Sequence, residues 1–249
     1  MKGIRMNQPK IVFFDYGQTL MNETAFEPIR GLRAILEHAV ENPHGLKAED
    51  LIGFYHGMIT DINRPTKDFT GMQYIEVPEP LMQKYLFGYF GLRPTKSSRE
   101  IELLFEKASK TAKPSDGLPA FLAYLRKSGI RAGVISNISM TGDTLAKVLN
   151  RRIPGSSFSP VVTSSDAIFR KPHPRIFRDA LKRAGVSASD AVFCGDNPDV
   201  DLDGAAAVGI FPVWYRGCCT VPGNVRPHCR HLEIQSWKEL ETWIASRPA

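Results

Sequence analysis

After Pro114, short apolar runs alternate with segments in which apolar residues recur every three or four positions. The apolar runs have the length of buried strands and cover residues 130–135, 160–164, 191–195 and 210–215. The helical segments cover residues 118–125, 141–149, 174–184, 201–208 and 237–245. Strands that alternate with amphipathic helices are typical of a parallel sheet with helices on both faces.

The first part of the chain shows two further patterns. Residues 10–15 form another short apolar run, rich in valine, isoleucine and phenylalanine, that ends on Asp15. From about Phe26 to Lys113 the sequence changes to helical periodicity and turn signals, with almost no β-branched runs. A long helical segment therefore separates the first predicted strand from the others.

Together these patterns predict an α/β fold in two parts. We expect a core domain with a Rossmann-like, doubly wound parallel sheet, made of residues 1–22 and 114–249. A smaller α-helical domain is expected over residues 23–113. With 43% hydrophobic and 23% charged residues, the composition is that of a globular protein.

The charge of the chain adds a mild basic bias. The formal net charge is +6, but basic and acidic residues are interleaved and no long block of one sign occurs. This pattern suits a small anionic substrate, and we expect no nucleic-acid partner. The sequence does not indicate an oligomeric state.

Targeting and cysteine signals point to the cytoplasm. The apolar run before Asp15 is too short for a signal peptide, and nowhere do the about 18 apolar residues of a transmembrane helix run together. The cysteines are too few and too unevenly spaced for a disulfide framework. We therefore expect a cytoplasmic protein with no membrane association.

Four of the predicted strands end in polar residues. These residues are Asp15, Ser136–Asn137, Ser164–Asp166 and Gly195–Asp196. In an open α/β sheet the ligand lies outside the carboxyl ends of the strands, so these side chains are candidates for a common site.

Four segments resemble the signature motifs of the haloacid dehalogenase-like hydrolase superfamily. They are FFDYGQTL, GVISN, FRKPHPRIF and VFCGDNPDVDLDGAAAVG, and they follow one another in the family's order. The resemblance covers the predicted core, and the helical segment lies where that family places its cap domain. It implies a hydrolase that acts on a small phosphorylated substrate.

The resemblance also implies roles for individual residues. Asp15 matches the nucleophile, whose carboxylate attacks phosphorus to give an aspartyl phosphate. Thr19, Ser136, the backbone N–H of Asn137 and Lys171 would hold the phosphoryl group. The lysine would also neutralise the repulsion between the nucleophile and the incoming phosphate.

The fourth motif implies a magnesium site. Asp196 and Asp201 match its acidic pair and would hold Mg²⁺ together with Asp15 and the backbone carbonyl of Gly17. Hard oxygen ligands beside a phosphate suit this ion. Without a cation, three gathered carboxylates would repel one another and raise their own pKa values.

The first motif departs from the family's pattern at Gly17. The family usually has a second aspartate there, which protonates the leaving group and later activates water, and glycine cannot transfer a proton. Positioned proton transfer is worth about 10²–10⁴-fold in rate. Candidate replacements within the helical segment are His56, Asp61 and Glu76.

This departure leaves several functions open. The protein could be a phosphatase that uses another acid or favours good leaving groups such as acyl phosphates. It could be a regulatory protein that binds phosphate and Mg²⁺ with weak or no turnover. It could also run dehalogenase chemistry, or phosphonate cleavage with a Schiff-base lysine, for which Lys47, Lys67 and Lys84 are available.

Overall fold

The computed structural model describes residues 7–63, 74–218 and 225–248, so Lys67 lies outside the described residues. The strands are β1 Ile11–Phe14, β2 Met21–Phe26, β3 Ala39–Glu41, β4 Arg93–Pro94, β5 Lys110–Pro114, β6 Arg131–Ser136, β7 Phe158–Thr163, β8 Ala191–Gly195, β9 Phe211–Tyr215 and β10 Leu232–Ile234. The helices are α1 Pro28–Leu36, α2 Ala48–Asn63, α3 Glu79–Phe90, α4 Ser98–Ser109, α5 Leu118–Lys127, α6 Gly142–Arg152, α7 Ser164–Ala167, α8 Pro174–Ala184, α9 Gly204–Ala206 and α10 Trp237–Ala245.

A six-stranded sheet forms the centre of the molecule. Its strand order is β10-β9-β8-β1-β6-β7, and all the neighbouring strands are parallel. Strand β1 lies between β8 and β6, with Phe14 opposite Cys194 on one side and Val134 on the other. The predicted α/β fold with a doubly wound parallel sheet is therefore confirmed.

Both faces of the sheet are covered by apolar side chains. Successive residues of a strand point to opposite faces, so Phe14 packs in one cluster and Phe13 in another. On the first face the ring of Phe121 stacks on Trp237 of α10 at a centroid distance of 5.4 Å. On the second face Phe177 of α8 meets Phe193 edge to face at 5.5 Å. Burial on both faces explains why the strands read as continuous apolar runs.

Helix α8 shows how local sequence fixes the loop before it. Pro174 occupies the first turn, where its missing N–H removes no hydrogen bond, and Gly185 ends the helix with a left-handed φ of 62°. Its buried face contains Ile176, Phe177, Ala180, Leu181 and Ala184. This face packs against the second side of the sheet and so fixes the position of residues 170–173.

A third hydrophobic cluster lies within the helical segment. Its buried residues include Leu32 of α1, Leu51 of α2, Leu86 of α3 and Phe105 of α4. Gly31 allows α1 and α4 to approach closely, because a side chain there would overlap the ring of Phe105. The division of the chain into core and cap domains remains a prediction.

The sequence patterns missed two features near the site. Strands β2 and β5 pair antiparallel, although their sequences, MNETAF and KTAKP, show no apolar alternation. The helix predicted over residues 201–208 begins instead as a π-helical turn, Pro198–Asp203, which α9 continues. No helix within the described ranges has both the length and the apolar character that a membrane span requires.

Candidate active site

The carboxyl ends of three neighbouring strands carry the central residues of the site. Asp15 follows β1, Asn137 follows β6 and Asp196 follows β8. The backbone N–H of Asp15 donates to the carbonyl of Cys194 at 2.9 Å, which extends the pairing of β1 with β8 as far as Asp15. The predicted strand-end residues therefore meet at one edge.

Lys171 lies within this edge and joins two of the carboxylates. Its Nζ is 2.6 Å from Oδ1 of Asp15 and 2.6 Å from Oδ1 of Asp201. The lysine side chain is only 1% exposed, and its ammonium lies 5.1 Å from the ring centroid of Phe193. We call Asp15, Lys171, Asp196 and Asp201 the strand-edge cluster.

Asn137 fixes the backbone of Lys171. Its Nδ2 donates to the lysine carbonyl at 2.9 Å, and its Oδ1 accepts from the lysine N–H at 2.6 Å. The sequence predicted a backbone donor at this position, whereas the side chain holds the neighbouring loop as well. No local sequence signal indicates this contact, because 34 residues separate the partners.

Hydrogen bonds to backbone groups fix the positions of Asp196 and Asp201, the two acids of the fourth motif. Oδ2 of Asp201 accepts from the N–H of Asn197 at 3.1 Å, and the indole of Trp214 donates to the carbonyl of Asp196 at 2.9 Å. A side chain at Gly195 would overlap the carboxyl group of Asp201. Glycine at this position is therefore required for Asp201 to approach the strand end.

Burial and repulsion set the protonation of the cluster. Burial, followed by the charges of Asp201 and Asp15, raises the pKa of Asp196 to about 8. Burial also raises the pKa of Asp15 to about 6, although Lys171 acts in the opposite direction. Burial alone would lower the pKa of Lys171, but Asp15 and Asp201 outweigh it and raise that pKa.

The three carboxylates can converge on one cation. One oxygen each from Asp15, Asp196 and Asp201 lies within 4.8 Å of the others. Three hard oxygen donors that resist joint ionisation fit a divalent ion such as Mg²⁺, which would relieve their repulsion. The predicted ligand set therefore fits the ion, with the carbonyl of Gly17 as a further predicted ligand.

The two predicted hydroxyl ligands are buried near this edge. Ser136 is the last residue of β6 and is 3% exposed. Thr19 is fully buried, and its Oγ1 has no hydrogen-bond partner within the described residues. Contact of either hydroxyl with a phosphoryl group remains a prediction.

A cleft of about 800 Å³ lies between the helical segment and the sheet edge. Asn137 and Glu23 line it, whereas the residues of the strand-edge cluster do not. Asn137 connects the cleft to the cluster by holding the backbone of Lys171. Apolar residues such as Tyr55 and Phe105 line its helical side. The cleft is large enough for a small substrate.

Four buried glutamates line this cleft, and three of them each accept from two side chains of the core. We call these contacts the cleft pairs: Glu76 with Arg170 and Ser164, Glu102 with Thr141 and Thr144, and Glu106 with Arg151 and Arg152. They connect the helical segment to the sheet half of the molecule.

The residues named from the sequence as possible proton donors or Schiff-base lysines lie in different places. Glu76 accepts hydrogen bonds at 2.6 Å from both Arg170 and Ser164, so its carboxylate is already engaged. His56 lines the cleft, whereas Asp61 is exposed and does not. Lys47 and Lys84 are also exposed and lie outside the cleft wall.

Comparison with known proteins yields a family and several relatives. A family model described as haloacid dehalogenase-like hydrolase matches residues 9–209. The chain is 26% identical over 207 residues to a glyceraldehyde 3-phosphate phosphatase from Pyrococcus abyssi, covering 83% of this chain and 81% of that protein. It is 33% identical over 99 residues to a phosphoserine phosphatase from Thermus thermophilus, covering 38% of this chain and 37% of that protein.

A solved structure supports the fold. The crystal structure of a HAD phosphatase from Thermococcus onnurineus superposes with a TM-score of 0.61 at 22% identity. The alignment covers 96% of this chain and 99% of that one. At this identity the likeness supports the fold alone.

Proposed function

The chain belongs to the haloacid dehalogenase-like hydrolases, and from that premise we propose that it is a Mg²⁺-dependent phosphatase of small phosphorylated substrates. The reaction would pass through an aspartyl phosphate on Asp15. One observation carries the proposal: the carboxylate of Asp15 lies at a strand end, 2.6 Å from the buried ammonium of Lys171. The phosphatase names of two curated relatives are consistent with it.

The residues of the strand edge have complementary tasks in this proposal. Asp15 attacks phosphorus while Lys171 offsets the charge of the incoming phosphoryl group. Ser136, Thr19 and the N–H of Asn137 are proposed donors to its oxygens. Asp196, Asp201, Asp15 and the carbonyl of Gly17 would hold Mg²⁺, which supplies electrostatic stabilisation of the developing charge when bound.

The helical segment has a proposed role in specificity. We assign residues 23–113 to a cap domain and residues 1–22 and 114–249 to the core domain. The cleft between them would hold the organic part of the substrate, so that cap residues such as His56 and Tyr55 select it.

Steady-state kinetics test the proposal. Release of inorganic phosphate from a panel of alkyl phosphates, aryl phosphates and acetyl phosphate is measured with Mg²⁺ and with chelator. Wild type is expected to turn over at least one ester only with Mg²⁺, and Asp15→Asn is expected to abolish turnover. Asp199→Asn is the matched control, because Asp199 belongs to the fourth motif but its side chain is 65% exposed.

Two of the alternative functions have outcomes of their own. Mg²⁺-dependent binding of a phosphate mimic without turnover of any ester would indicate a regulatory binding protein. Halide release from a 2-haloacid without Mg²⁺ would indicate a dehalogenase. Turnover that survives Asp15→Asn would contradict the proposed nucleophile.

A further inference from the structure

A carboxylate from another part of the chain lies where Gly17 has no side chain. An ideal Cβ added to Gly17 would be 2.9 Å from Oε2 of Glu23. Residue 17 is two positions after Asp15, so this carboxylate lies beside the loop that carries the nucleophile. The missing side chain leaves room for it.

The turn after β1 brings Glu23 to this place. The N–H of Met21 donates to the carbonyl of Tyr16 at 2.9 Å, which folds the chain back on itself. Nε2 of Gln18 then donates to the carbonyl of Glu23 at 2.9 Å and fixes its backbone. The register of β2 against β5 shifts between Glu23 and Ala25, and such bulges redirect side chains beside functional sites.

The Glu23 carboxylate faces the substrate cleft rather than the core. Its side chain is 29% exposed, and Glu23, Lys110 and Asn137 all line the cleft. Its Oε1 lies 3.3 Å from Nζ of Lys110, whose side chain is 19% exposed. A leaving group or a water molecule in the cleft can therefore reach this carboxylate.

The other glutamates of the cleft wall differ from Glu23 in their contacts. Glu76 accepts from Arg170, Glu106 from Arg151 and Arg152, Glu102 from two threonine hydroxyls, and Glu79 from Gln83 and Ser139. Their side chains are 7% exposed or less. Glu23 combines access to the cleft with a position beside the nucleophile's loop.

We propose that Glu23 transfers the proton in the phosphatase reaction, as the general acid and base that residue 17 cannot provide. In the first step the Asp15–phosphorus bond forms as the bond to the leaving oxygen breaks, and the protonated Glu23 gives its proton to that oxygen. In the second step the Glu23 carboxylate takes a proton from water as the water oxygen attacks phosphorus and releases Asp15. The sum is ester plus water to alcohol plus phosphate, with Glu23 protonated and Asp15 ionised again.

Leaving-group dependence tests this inference, which rests on the proposed phosphatase function. Wild type and Glu23→Gln, both with Mg²⁺, are given glycerol phosphate or p-nitrophenyl phosphate, and first-turnover release of the alcohol or phenol is measured. Glu23→Gln should lower the glycerol phosphate rate by about 10²-fold or more, because an alkoxide needs a proton to leave. Release of p-nitrophenolate, a stable anion, should fall less than about tenfold.

The second step gives an independent readout. Loss of the base should slow attack by water, so acid-quenched Glu23→Gln should retain more phosphoenzyme than wild type during turnover of p-nitrophenyl phosphate. Glu27→Gln is the matched control, because Glu27 is an exposed neighbour that pairs with Arg30 and lies outside the cleft wall. It should match wild type on both esters.

A double variant tests the position of the acid. Gly17→Asp alone should lower alkyl phosphate hydrolysis, because its new side chain would meet the Glu23 carboxylate. Gly17→Asp combined with Glu23→Ala removes that contact and restores an acid beside the nucleophile. It should recover at least tenfold over Glu23→Gln with glycerol phosphate.

The outcomes separate the inference from the proposed function. Equal rates for wild type and Glu23→Gln on both esters would overturn the inference, and so would equal losses on both, which indicate substrate positioning instead. A His56→Gln variant that reproduces the expected pattern in place of Glu23→Gln would assign the proton to the histidine. A folded wild type that hydrolyses no compound of the whole phosphate panel with Mg²⁺ contradicts the proposed function itself, and the inference then falls with it.

Discussion

The strand-edge cluster and the cleft pairs are neighbouring groups of buried acids whose carboxylates have different kinds of partners. In the cluster, three carboxylates gather around Lys171, which pairs directly with Asp15 and Asp201. In the cleft pairs, each glutamate has donors of its own, such as Arg151 and Arg152 for Glu106. The first arrangement concentrates negative charge, whereas the second distributes it.

This difference distinguishes acids that stabilise the fold from acids that belong to the candidate active site. A buried acid whose oxygens accept hydrogen bonds from its own donors contributes chiefly to holding elements together. Carboxylates that share a cation repel one another, and the pKa of Asp196 is raised first by burial and then by this repulsion. Strongly perturbed groups at a strand edge beside a cleft mark a functional site.

Removal of the Lys171 ammonium, which Asp15 and Asp201 share, should have the largest effect on turnover and stability. Lys171→Met leaves Asp15 and Asp201 buried without their ion pair, so turnover should fall by about 10²–10³-fold. The free energy of unfolding without metal should fall by about 3 kcal/mol. Kinetics and urea unfolding check both numbers, with Lys182→Met, an exposed lysine of α8, as the control. Full activity in Lys171→Met would remove the lysine from the mechanism.

A cleft pair should respond in stability rather than in chemistry. Glu106→Gln removes the charge that holds Arg151 and Arg152, and the free energy of unfolding should fall by about 2 kcal/mol. Turnover per folded molecule should change much less than in Lys171→Met. Glu49→Gln, which breaks the exposed pair with Arg33, should change stability much less in the same urea titration. A large loss of turnover in Glu106→Gln would contradict the distinction between the strand-edge cluster and the cleft pairs.

Magnesium binding should depend on pH through the strand-edge cluster. Because the pKa of Asp196 is raised to about 8 and that of Asp15 to about 6, the metal must displace protons at low pH. Affinity should therefore rise between pH 6 and pH 8, by about tenfold per pH unit for each displaced proton. Calorimetric titration at several pH values measures it. A pH-independent affinity would mean that these carboxylates are already ionised or are not ligands.

Glu79 offers the smallest and most specific test. Burial raises its pKa to about 7, although Gln83 and Ser139 donate to its carboxylate. The folded state therefore binds this proton more tightly than the unfolded chain, and wild-type stability should decline as pH rises through about 4.5 to 7. Glu79→Gln lacks this titration, so its stability relative to wild type should rise between pH 5 and pH 8, measured by urea unfolding. If the stability difference between Glu79→Gln and wild type does not change from pH 5 to pH 8, Glu79 does not titrate in this range.

Much of the fold could be predicted because its patterns are local. Helices α8 and α10 begin and end at the predicted residues, since a proline, a glycine or an apolar stripe marks them within a few positions. The polar strands β2 and β5 could not be predicted in this way. Their pairing joins residues about ninety positions apart, and neither sequence alternates apolar with polar residues.

The same limit applies to the site. The motifs identified Asp15, Lys171, Asp196 and Asp201, and the structure brings these residues together. Glu23 was not among the predicted acids, because only the pairing of β2 with β5 and the empty position at residue 17 bring it near the nucleophile. A polar residue inside an unrecognised strand carries no local signal of its function.

The position of the phosphoryl group tests the proposed nucleophile, Asp15, most directly. Wild type with Mg²⁺ and acetyl phosphate is quenched in acid during turnover, digested, and its peptides are analysed by mass spectrometry. We expect one phosphoryl group on the peptide that contains Asp15, and none when Mg²⁺ is chelated. Phosphate release with the phosphoryl group on another residue, or with no covalent intermediate at any time, would contradict it.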